Sequence, residues 1–173
     1  MKALSFWKAV TVDKSDLLEE VFALLRDGGI HFCVIGGQAV NSYVEPLVSL
    51  DLDIAVAVSQ IDQVRKLFQD RFHAKEFPQS LNISSPGSDL RVQIQTDPRY
   101  GDFVERALVR DVLGLNLPVA VIEDVLQGKI WAVIDSTRRP TKRRKDLLDI
   151  ERILEAYPGL RPRVPQEIVR QLS

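Results

Sequence analysis

Hydrophobic residues recur along this chain with two periods, one typical of amphipathic helices and one typical of strands. Helical spacing predicts helices over residues 15–27, 59–72, 122–134 and 143–157, with a shorter one over 36–43. Apolar or alternating runs bounded by turn-forming residues predict strands over 32–35, 50–58, 75–77, 81–83, 89–95 and 115–120. The mixture predicts an α/β (α+β) fold, in which a short mixed β-sheet is flanked by helices.

The chain length of 173 residues suits one domain. We predict a single domain over residues 1–157, with a core over 30–120 and a closing pair of C-terminal helices over 121–157. Within that core, residues 103–111 are predicted to be irregular. The proline-containing residues 158–173 are predicted to form an extended tail that ends in a short helical turn.

The composition excludes several classes of protein. A net charge of -1 gives no overall sign of nucleic-acid or membrane binding. The single cysteine, Cys33, excludes an intramolecular disulfide framework, and His31 and His73 belong to no Cys/His cluster that would bind zinc. No apolar run approaches the roughly 20 residues that span a bilayer, so we expect a cytoplasmic protein that does not contact the membrane.

Two glycines end the strand predicted over residues 32–35. Gly36 and Gly37 would begin a short helix, and the free backbone N–H groups at a helix N-terminus form an anion site. The absence of side chains lets a phosphate group approach closely. A plain strand-to-helix turn also uses glycine, so this turn by itself leaves both interpretations open.

The strand predicted over residues 50–58 carries two aspartates in an otherwise apolar run. Alternation places Asp51 and Asp53 on one face, and Leu52 and Ile54 on the other face, toward a core. Two neighbouring carboxylates repel each other and are costly to bury unpaired. Mg²⁺ removes both costs, because it binds oxygen ligands and often takes one or two carboxylates together with substrate phosphates. The alternative is a strand with solvent-exposed aspartates.

Two charged residues lie within the apolar stripes of the last two predicted helices. On a helical wheel Lys129 falls in the centre of the stripe of helix 122–134, and Asp146 falls within the stripe of helix 143–157. A lysine there either extends its ammonium group to solvent or reaches a negative group inside. Asp146 is the natural partner of Lys129. The alternative is that Asp146, like Asp149 at the stripe's margin, interacts only with the helix dipole.

A strongly basic loop over residues 138–145, from Arg138 to Lys145, is predicted between these two helices. Next to a phosphate site such a loop would bind a nucleic-acid backbone or a triphosphate tail. The alternative is a solvated basic loop without a ligand. No aromatic residue is interleaved in it, so it gives no support for base stacking.

These motifs together resemble a known family. A glycine pair followed about a dozen residues later by Ser-x-Asp-x-Asp over residues 49–53 is similar to the signature of the DNA polymerase β-like nucleotidyltransferase superfamily. The lysine within an apolar helix and the closing Lys-Asp-x-x-Asp motif over 145–149 resemble the AbiEii-type and related MNT-like toxin nucleotidyltransferases. The resemblance covers roughly residues 30–155.

The resemblance implies a nucleotidyltransferase-like fold and a set of site residues. It implies that Asp51 and Asp53 bind catalytic Mg²⁺ and that Gly36, Gly37 and Ser49 bind the nucleotide triphosphate. The functional lysine and the aspartate of the last helix in these relatives fall on Lys129, which would also contact the nucleotide, and on Asp146.

The resemblance also implies partners. Relatives transfer a nucleotide from an NTP to RNA or protein, some of them to the acceptor end of tRNA, and many act in toxin–antitoxin pairs. The expected partners are therefore an NTP, an RNA or tRNA acceptor bound by the basic loop, and an antitoxin protein.

Two residues depart from the family's pattern. Gln93 stands where a third carboxylate often acts as base or metal ligand, and a neutral amide is a poor metal ligand and no base. Asp89 and Asp97 are the candidates to replace it, with turn roles as the alternative. Leu47 stands where relatives frequently carry arginine.

The hypothesis is an active nucleotidyltransferase. Its alternatives are a catalytically silent nucleotide- or partner-binding relative and a purely structural domain.

Overall fold

The computed structural model describes residues 16–173, so Ser15 and the earlier residues assigned to the predicted domain lie outside the described part. The strands are β1 (Phe32–Ile35), β2 (Asp51–Val56), β3 (His73–Phe77), β4 (Ser80–Ser84), β5 (Arg91–Gln95), β6 (Leu108–Val112) and β7 (Leu115–Val119). The α-helices are α1 (Leu17–Asp27), α2 (Gly36–Asn41), α3 (Ile61–Gln69), α4 (Gly101–Arg106), α5 (Ile122–Ile134), α6 (Pro140–Ala156) and α7 (Gln166–Val169). Three 3₁₀ turns cover Val58–Gln60, Pro98–Tyr100 and Pro158–Arg163.

The seven strands form one mixed sheet in the order β3-β4-β5-β2-β1-β7-β6, which confirms the predicted fold class. Its centre is the antiparallel pair β1–β2, in which Ile35 lies opposite Asp53. Strand β5 runs parallel to β2 and places Gln93 beside Asp53. The two aspartates are therefore on a central strand, where neighbouring strands hold them on both sides.

The two faces of β2 differ as the alternation predicts. Leu52 and Ile54 are buried in the hydrophobic core, to which α1 and α3 contribute Leu17, Val21, Val64 and Phe68. The opposite face presents Asp51 and Asp53 to a cavity that α5 and α6 also line. The C-terminal helical pair thus lies on the carboxylate face of the sheet.

The segment before β7 differs from the prediction. Residues 101–112, of which 103–111 are predicted to be irregular, contain α4 and the edge strand β6. Leu113 and Gly114 form the turn between β6 and β7, with φ angles of 56° and 85°. Two consecutive positive φ values suit a tight hairpin. Leu108 and Val109 are both exposed, so β6 lacks the alternating pattern by which half-buried strands are found.

The C-terminal region also differs from the prediction. Helix α6 begins at Pro140 rather than at residue 143, because proline at the first helical position already has a helical φ angle. The predicted extended conformation of the tail is wrong, whereas its predicted final helical turn is present as α7. Residues after 157 form a 3₁₀ turn and α7, and Val164 and Ile168 are buried in the same core as the sheet. In the described part of the chain, no helix is long and apolar enough to cross a membrane.

Candidate active site

A cavity of about 100 Å³ lies between the carboxylate face of the sheet and helices α5 and α6. Five of the seven predicted site residues line it: Gly36, Asp51, Asp53, Lys129 and Asp146. Gly37 and Ser49 are not among its lining residues. The fold therefore brings together residues that are more than a hundred positions apart in the chain.

Gly36 lines the cavity and lies directly against the Asp53 side chain. Its φ of +68° lies in the left-handed region, which L-residues with a side chain rarely adopt. A Cβ atom at this position would lie 2.2 Å from Oδ2 of Asp53. Glycine is required here by the backbone conformation and by the close approach of the carboxylate.

Substitution of the two glycines should have opposite consequences for the fold. Gly36→Ala should lower the thermal unfolding midpoint, because the left-handed conformation alone costs about 1–2 kcal/mol and the methyl group collides with Asp53. Gly37→Ala is the matched control, because a Cβ there meets no atom within 4 Å and alanine is favoured in a helix. Differential scanning calorimetry checks both variants. Equal destabilisation by the two substitutions would contradict this assignment.

Ser49 faces the backbone of the strand that follows it. Its hydroxyl accepts a hydrogen bond from the Asp51 N–H at 3.2 Å and lies 3.4 Å from the Asp51 carbonyl oxygen. The Gln38 side-chain amide donates to the Ser49 carbonyl oxygen at 3.4 Å. These contacts set the start of β2, and the predicted role of Ser49 in phosphate binding stays a prediction.

Asp53 is a half-buried carboxylate without a direct counter-ion. Among the described residues, no cation lies within ion-pair distance of it. Burial raises the pKa of Asp53 to about 6. The charges of Lys129, Lys142 and Arg138 oppose the rise, and the charge of Asp51 adds to it. The carboxylate therefore lies in an environment that needs further positive charge.

Asp51 is paired with two cations at the mouth of the cavity. Lys142 Nζ lies 3.0 Å from its Oδ2, and Arg91 Nε lies 2.8 Å from its Oδ1. Burial raises the pKa of Asp51. The hydrogen bonds and charges of Lys142 and Arg91 outweigh burial and hold that pKa below its ordinary value. The contact with Lys142 could not be predicted from local sequence patterns, because Lys142 is 91 residues away from Asp51.

The two aspartates fit a divalent cation as its protein ligands. Both offer carboxylate oxygens to one cavity, and Asp53 is half-buried without a counter-ion, as an ion-binding carboxylate would be. In residues 16–173 no group of three or more His, Cys, Asp or Glu side chains could hold a metal ion. Water and phosphate oxygens would therefore have to complete the coordination of Mg²⁺, which that ion commonly accepts.

Lys129 is the centre of a buried charge network. Its ammonium group lies 3.0 Å from Asp146 Oδ1 and 2.8 Å from Asp149 Oδ2. Burial disfavours the charge of Lys129, but the carboxylates of Asp149 and Asp146 outweigh burial and raise its pKa above the ordinary value. The predicted contact of Lys129 with Asp146 is thus present. Asp149, which the helical wheel put at the margin of the stripe, is a second partner.

Two arginines complete this network. Arg138 donates two hydrogen bonds to Asp146, at 2.8 Å and 3.2 Å. Arg152 donates to Asp149 at 2.7 Å, to the Asn41 side chain at 2.9 Å and to the Glu45 carbonyl oxygen at 2.6 Å. The network therefore connects α6 both to the cavity and to the loop that follows α2. Arg152 is three residues after Asp149, and this helical spacing is the signal that could have found it.

The predicted basic loop is largely helical and has two faces. Only residues 138 and 139 precede α6, and the rest form its first turns. Arg138 and Lys142 are one helical turn apart and line the cavity. Arg139, Arg144 and Lys145 are exposed. The inner residues face the site of the aspartates, and the outer residues face solvent.

An aromatic wall closes the end of the cavity nearest to α4. Tyr100 and Phe103 line the cavity, and Trp131 packs against both rings at centroid distances of 5.2 Å and 5.6 Å. Gly128 permits this packing, because a Cβ atom there would lie 3.3 Å from the Tyr100 ring. The sequence motifs contain no signal for this wall.

Comparison with known protein families identifies one family whose model matches most of this chain. A family model described as nucleotidyl transferase AbiEii toxin, type IV TA system, matches residues 38–172, which include Asp51, Asp53, Lys129 and Asp146. Comparison with curated protein sequences gave no match.

Several solved structures share the fold. The antibiotic-resistance factor ANT(2'')-Ia is 12% identical with a TM-score of 0.55, covering 86% of this chain and 91% of that chain. The lincosamide antibiotic adenylyltransferase LnuA, bound to lincomycin, is 13% identical with a TM-score of 0.52, covering 82% of this chain and 96% of that chain. A putative nucleotidyltransferase from Thermotoga maritima is 15% identical with a TM-score of 0.50, covering 67% of this chain and 82% of that chain. At these identities the likeness shows the fold alone.

Proposed function

We propose, from the premise that this chain belongs to the AbiEii nucleotidyl transferase family, that it moves a nucleotide from an NTP to an RNA or protein acceptor with the help of Mg²⁺. The observation that carries the proposal is the arrangement of charges around one cavity. Asp51 and Asp53 lie on the sheet, Lys129 and Lys142 lie on helices α5 and α6, and Arg138 lies in the turn between them. Such a site can hold a metal ion on one side and a triphosphate on the other.

The chain's own residues would divide the work as follows. Asp51 and Asp53 would hold Mg²⁺, which supplies Lewis-acid polarisation of a phosphoryl oxygen when bound. Lys129 would stabilise negative charge that develops on the triphosphate as pyrophosphate leaves. Asp146 and Asp149 hold its ammonium group in place. Arg138 is fixed by two hydrogen bonds to Asp146, which leaves part of its guanidinium group for phosphate oxygens.

The residue that pairs with Asp53 on strand β5 is the reason to consider a second candidate function. Gln93 is its direct neighbour on β5, and an amide cannot remove a proton from the acceptor hydroxyl. Asp97 does not replace the missing carboxylate, because both its oxygens bind Arg99 and it does not line the cavity. Asp89 is exposed and also outside the cavity. A catalytically silent protein that binds a nucleotide is therefore the second candidate.

A transfer assay separates the two candidates. The protein is incubated with each α-labelled NTP, Mg²⁺, and either total RNA or total protein, and the label in each acceptor is measured. Nucleotide binding is measured separately by isothermal titration calorimetry. Label that moves into one acceptor class supports the enzyme. Nucleotide binding without transfer from any NTP would support the silent binder.

The toxin role is part of the proposal and follows from the family's description as a toxin. We expect that induced expression of the wild-type chain arrests bacterial growth and that an Asp53→Asn variant does not. Co-expression of a neighbouring antitoxin-like reading frame should relieve the arrest. Normal growth at high wild-type expression would remove the toxin role and leave the transferase proposal to the assay.

Lys142 should affect metal and nucleotide in opposite directions. Its ammonium group binds the Asp51 carboxylate and would compete with a metal ion for that ligand, so Lys142→Ala should raise the affinity for Mn²⁺ in the absence of nucleotide. The same variant should weaken NTP binding, because it removes a cation from the cavity. Electron paramagnetic resonance of Mn²⁺ and calorimetry with NTP measure the two effects.

Lys145→Ala, on the exposed face of α6, is the matched control for Lys142→Ala. It should change neither affinity. A fall in Mn²⁺ affinity in the Lys142 variant would mean that Lys142 supports the metal site instead of competing for it.

A further inference from the structure

An exposed polar face extends from Asp53 to the edge of the sheet. Asp53 is paired in register with Gln93, Gln93 with Asn82, and Asn82 with Lys75, so four neighbouring strands present these residues in one row. Residues paired in register point to the same face of a sheet. At about 4.8 Å between strands, the row extends about 14 Å from the catalytic carboxylate. We call this face of β3, β4 and β5 the polar shelf.

The two faces of these three strands differ sharply. Leu81, Ile83, Val92 and Ile94 are buried on the core side. On the shelf, Lys75, Ser84 and Arg91 are exposed, and Asn82, Gln93 and Gln95 are half-buried. Within residues 16–173 no apolar element covers this face, which lies next to the cavity and is open to a polar ligand.

The charge of the shelf is positive. Arg91 is anchored to Asp51 through Nε, while 63% of its side chain stays exposed. Lys75 is exposed, and the strand residues on this face of β3, β4 and β5 include no aspartate or glutamate. A ligand for this face would therefore carry negative charge.

An aromatic ring lies at the outer end of the shelf. Phe77 is 40% exposed, and Lys75 Nζ lies 5.2 Å from its ring centroid. Phe77 and Lys75 are two residues apart on β3 and therefore share a face. An exposed aromatic ring beside a cation is the arrangement on which single-stranded nucleic acids stack their bases.

We propose that the acceptor is a single-stranded RNA end that lies across the polar shelf with its terminal hydroxyl at Asp53. Phe77 stacks on a base, Lys75 and Arg91 contact phosphates, and the amides of Gln93 and Asn82 bind ribose or base groups. This inference rests on the proposed nucleotide transfer and names its acceptor and the direction of approach. The rival surface is the exposed face of α6, with Arg139, Arg144 and Lys145.

RNA binding by shelf variants tests the proposal. A short single-stranded RNA with a 5′ fluorescein label is titrated with the full chain, and fluorescence anisotropy gives its affinity. Phe77→Ala should weaken binding roughly fivefold or more through loss of stacking. Lys75→Ala should reduce the slope of log affinity against log salt by about 0.7. Both residues are exposed and outside the cavity, so calorimetric NTP affinity and the unfolding midpoint should stay unchanged.

A crosslink locates the RNA independently. With 4-thiouridine near the 3′ end, irradiation should attach the RNA to peptides from β3, β4 or β5. The Arg144→Ala/Lys145→Ala double variant should bind RNA as the wild type does. Unchanged RNA affinity in both shelf variants, or a loss confined to the α6 variant, overturns the proposal. Failure of the wild type to transfer any nucleotide overturns the proposed function instead, and the transfer assay reports that separately from RNA binding.

Discussion

Replacing Asp53 by asparagine should lower nucleotide transfer by at least roughly 10²–10³-fold, the loss typical when one charge-stabilising group of an active site is removed. Asparagine has nearly the same shape, but it is a weak ligand for Mg²⁺ and carries no charge. Transfer of an α-labelled NTP to the identified acceptor measures the effect. Asp62→Asn is the matched control, because Asp62 is an exposed aspartate on α3.

The same substitution should stabilise the metal-free protein at pH 7. The folded pKa of Asp53 is about 6 against an ordinary value of 3.8, so the folded state binds this proton more tightly than the unfolded state does. A shift of this size corresponds to at most about 3 kcal/mol of unfolding free energy. Ionisation of Asp53 therefore destabilises the fold above pH 6, and the uncharged asparagine avoids that loss.

The dependence of the stability difference on pH tests the sign of this effect. The stability difference between Asp53→Asn and the wild type should be largest above pH 7. It should shrink as the pH falls through about 6 and vanish near 3.8, where Asp53 is protonated in both states. Urea unfolding in EDTA between pH 4 and pH 8 measures it, with pH values chosen around these two limits. A variant that is less stable than the wild type at pH 7.5 would mean that the ionised carboxylate supports the metal-free fold.

Replacing Lys129 by methionine should abolish transfer and leave a folded protein. Each carboxylate that binds Lys129 keeps one arginine partner, because Arg138 binds Asp146 and Arg152 binds Asp149. Two buried charged contacts of Lys129 are lost, so we expect a loss of about 3–5 kcal/mol in unfolding free energy, the range for removing one partner of a buried ion pair. Transfer should fall by roughly 10²–10³-fold, because the cation that opposes the developing charge is gone.

Asp146→Asn separates the role of the lysine from that of the residue that holds it. The variant keeps Lys129 paired with Asp149, so transfer should fall less than in Lys129→Met. Circular dichroism and calorimetry establish that both variants are folded before their rates are compared. Lys145→Met is the control for loss of a lysine outside the cavity. Full activity of Lys129→Met beside an inactive Asp146→Asn would assign the functional charge to the aspartate.

The two aspartates of the pair occupy different environments, although they are two residues apart. Asp51 is neutralised by Lys142 and Arg91, and Asp53 is half-buried without a direct partner. A metal ion would therefore compensate the charge of Asp53 but would have to compete with Lys142 at Asp51. This asymmetry is the reason why Lys142 and Asp53 variants should change metal binding in opposite directions.

Hydrophobic patterns that extend over a few residues predicted those parts of the fold that depend on a single helix or strand. Alternation identified β2 and the common face of Asp51 and Asp53, and helical spacing placed Lys129 inside an apolar stripe. The strand β6 was not predicted, because its exposed apolar residues do not alternate. The tail was predicted wrongly, because the burial of Val164 and Ile168 depends on a surface formed by distant residues.

The sequence by itself determined the family, the strand that carries the aspartates and the helical face of the lysine, because strand and helix periods act over a few residues. Apart from the pair of Lys129 with Asp146, only the tertiary structure decided which charges meet. It placed Lys142 on Asp51, Arg138 on Asp146 and Arg152 on Asn41. It also left one face of β3, β4 and β5 without cover by any other part of residues 16–173, since a strand's polar alternation does not tell whether solvent or another element lies above it.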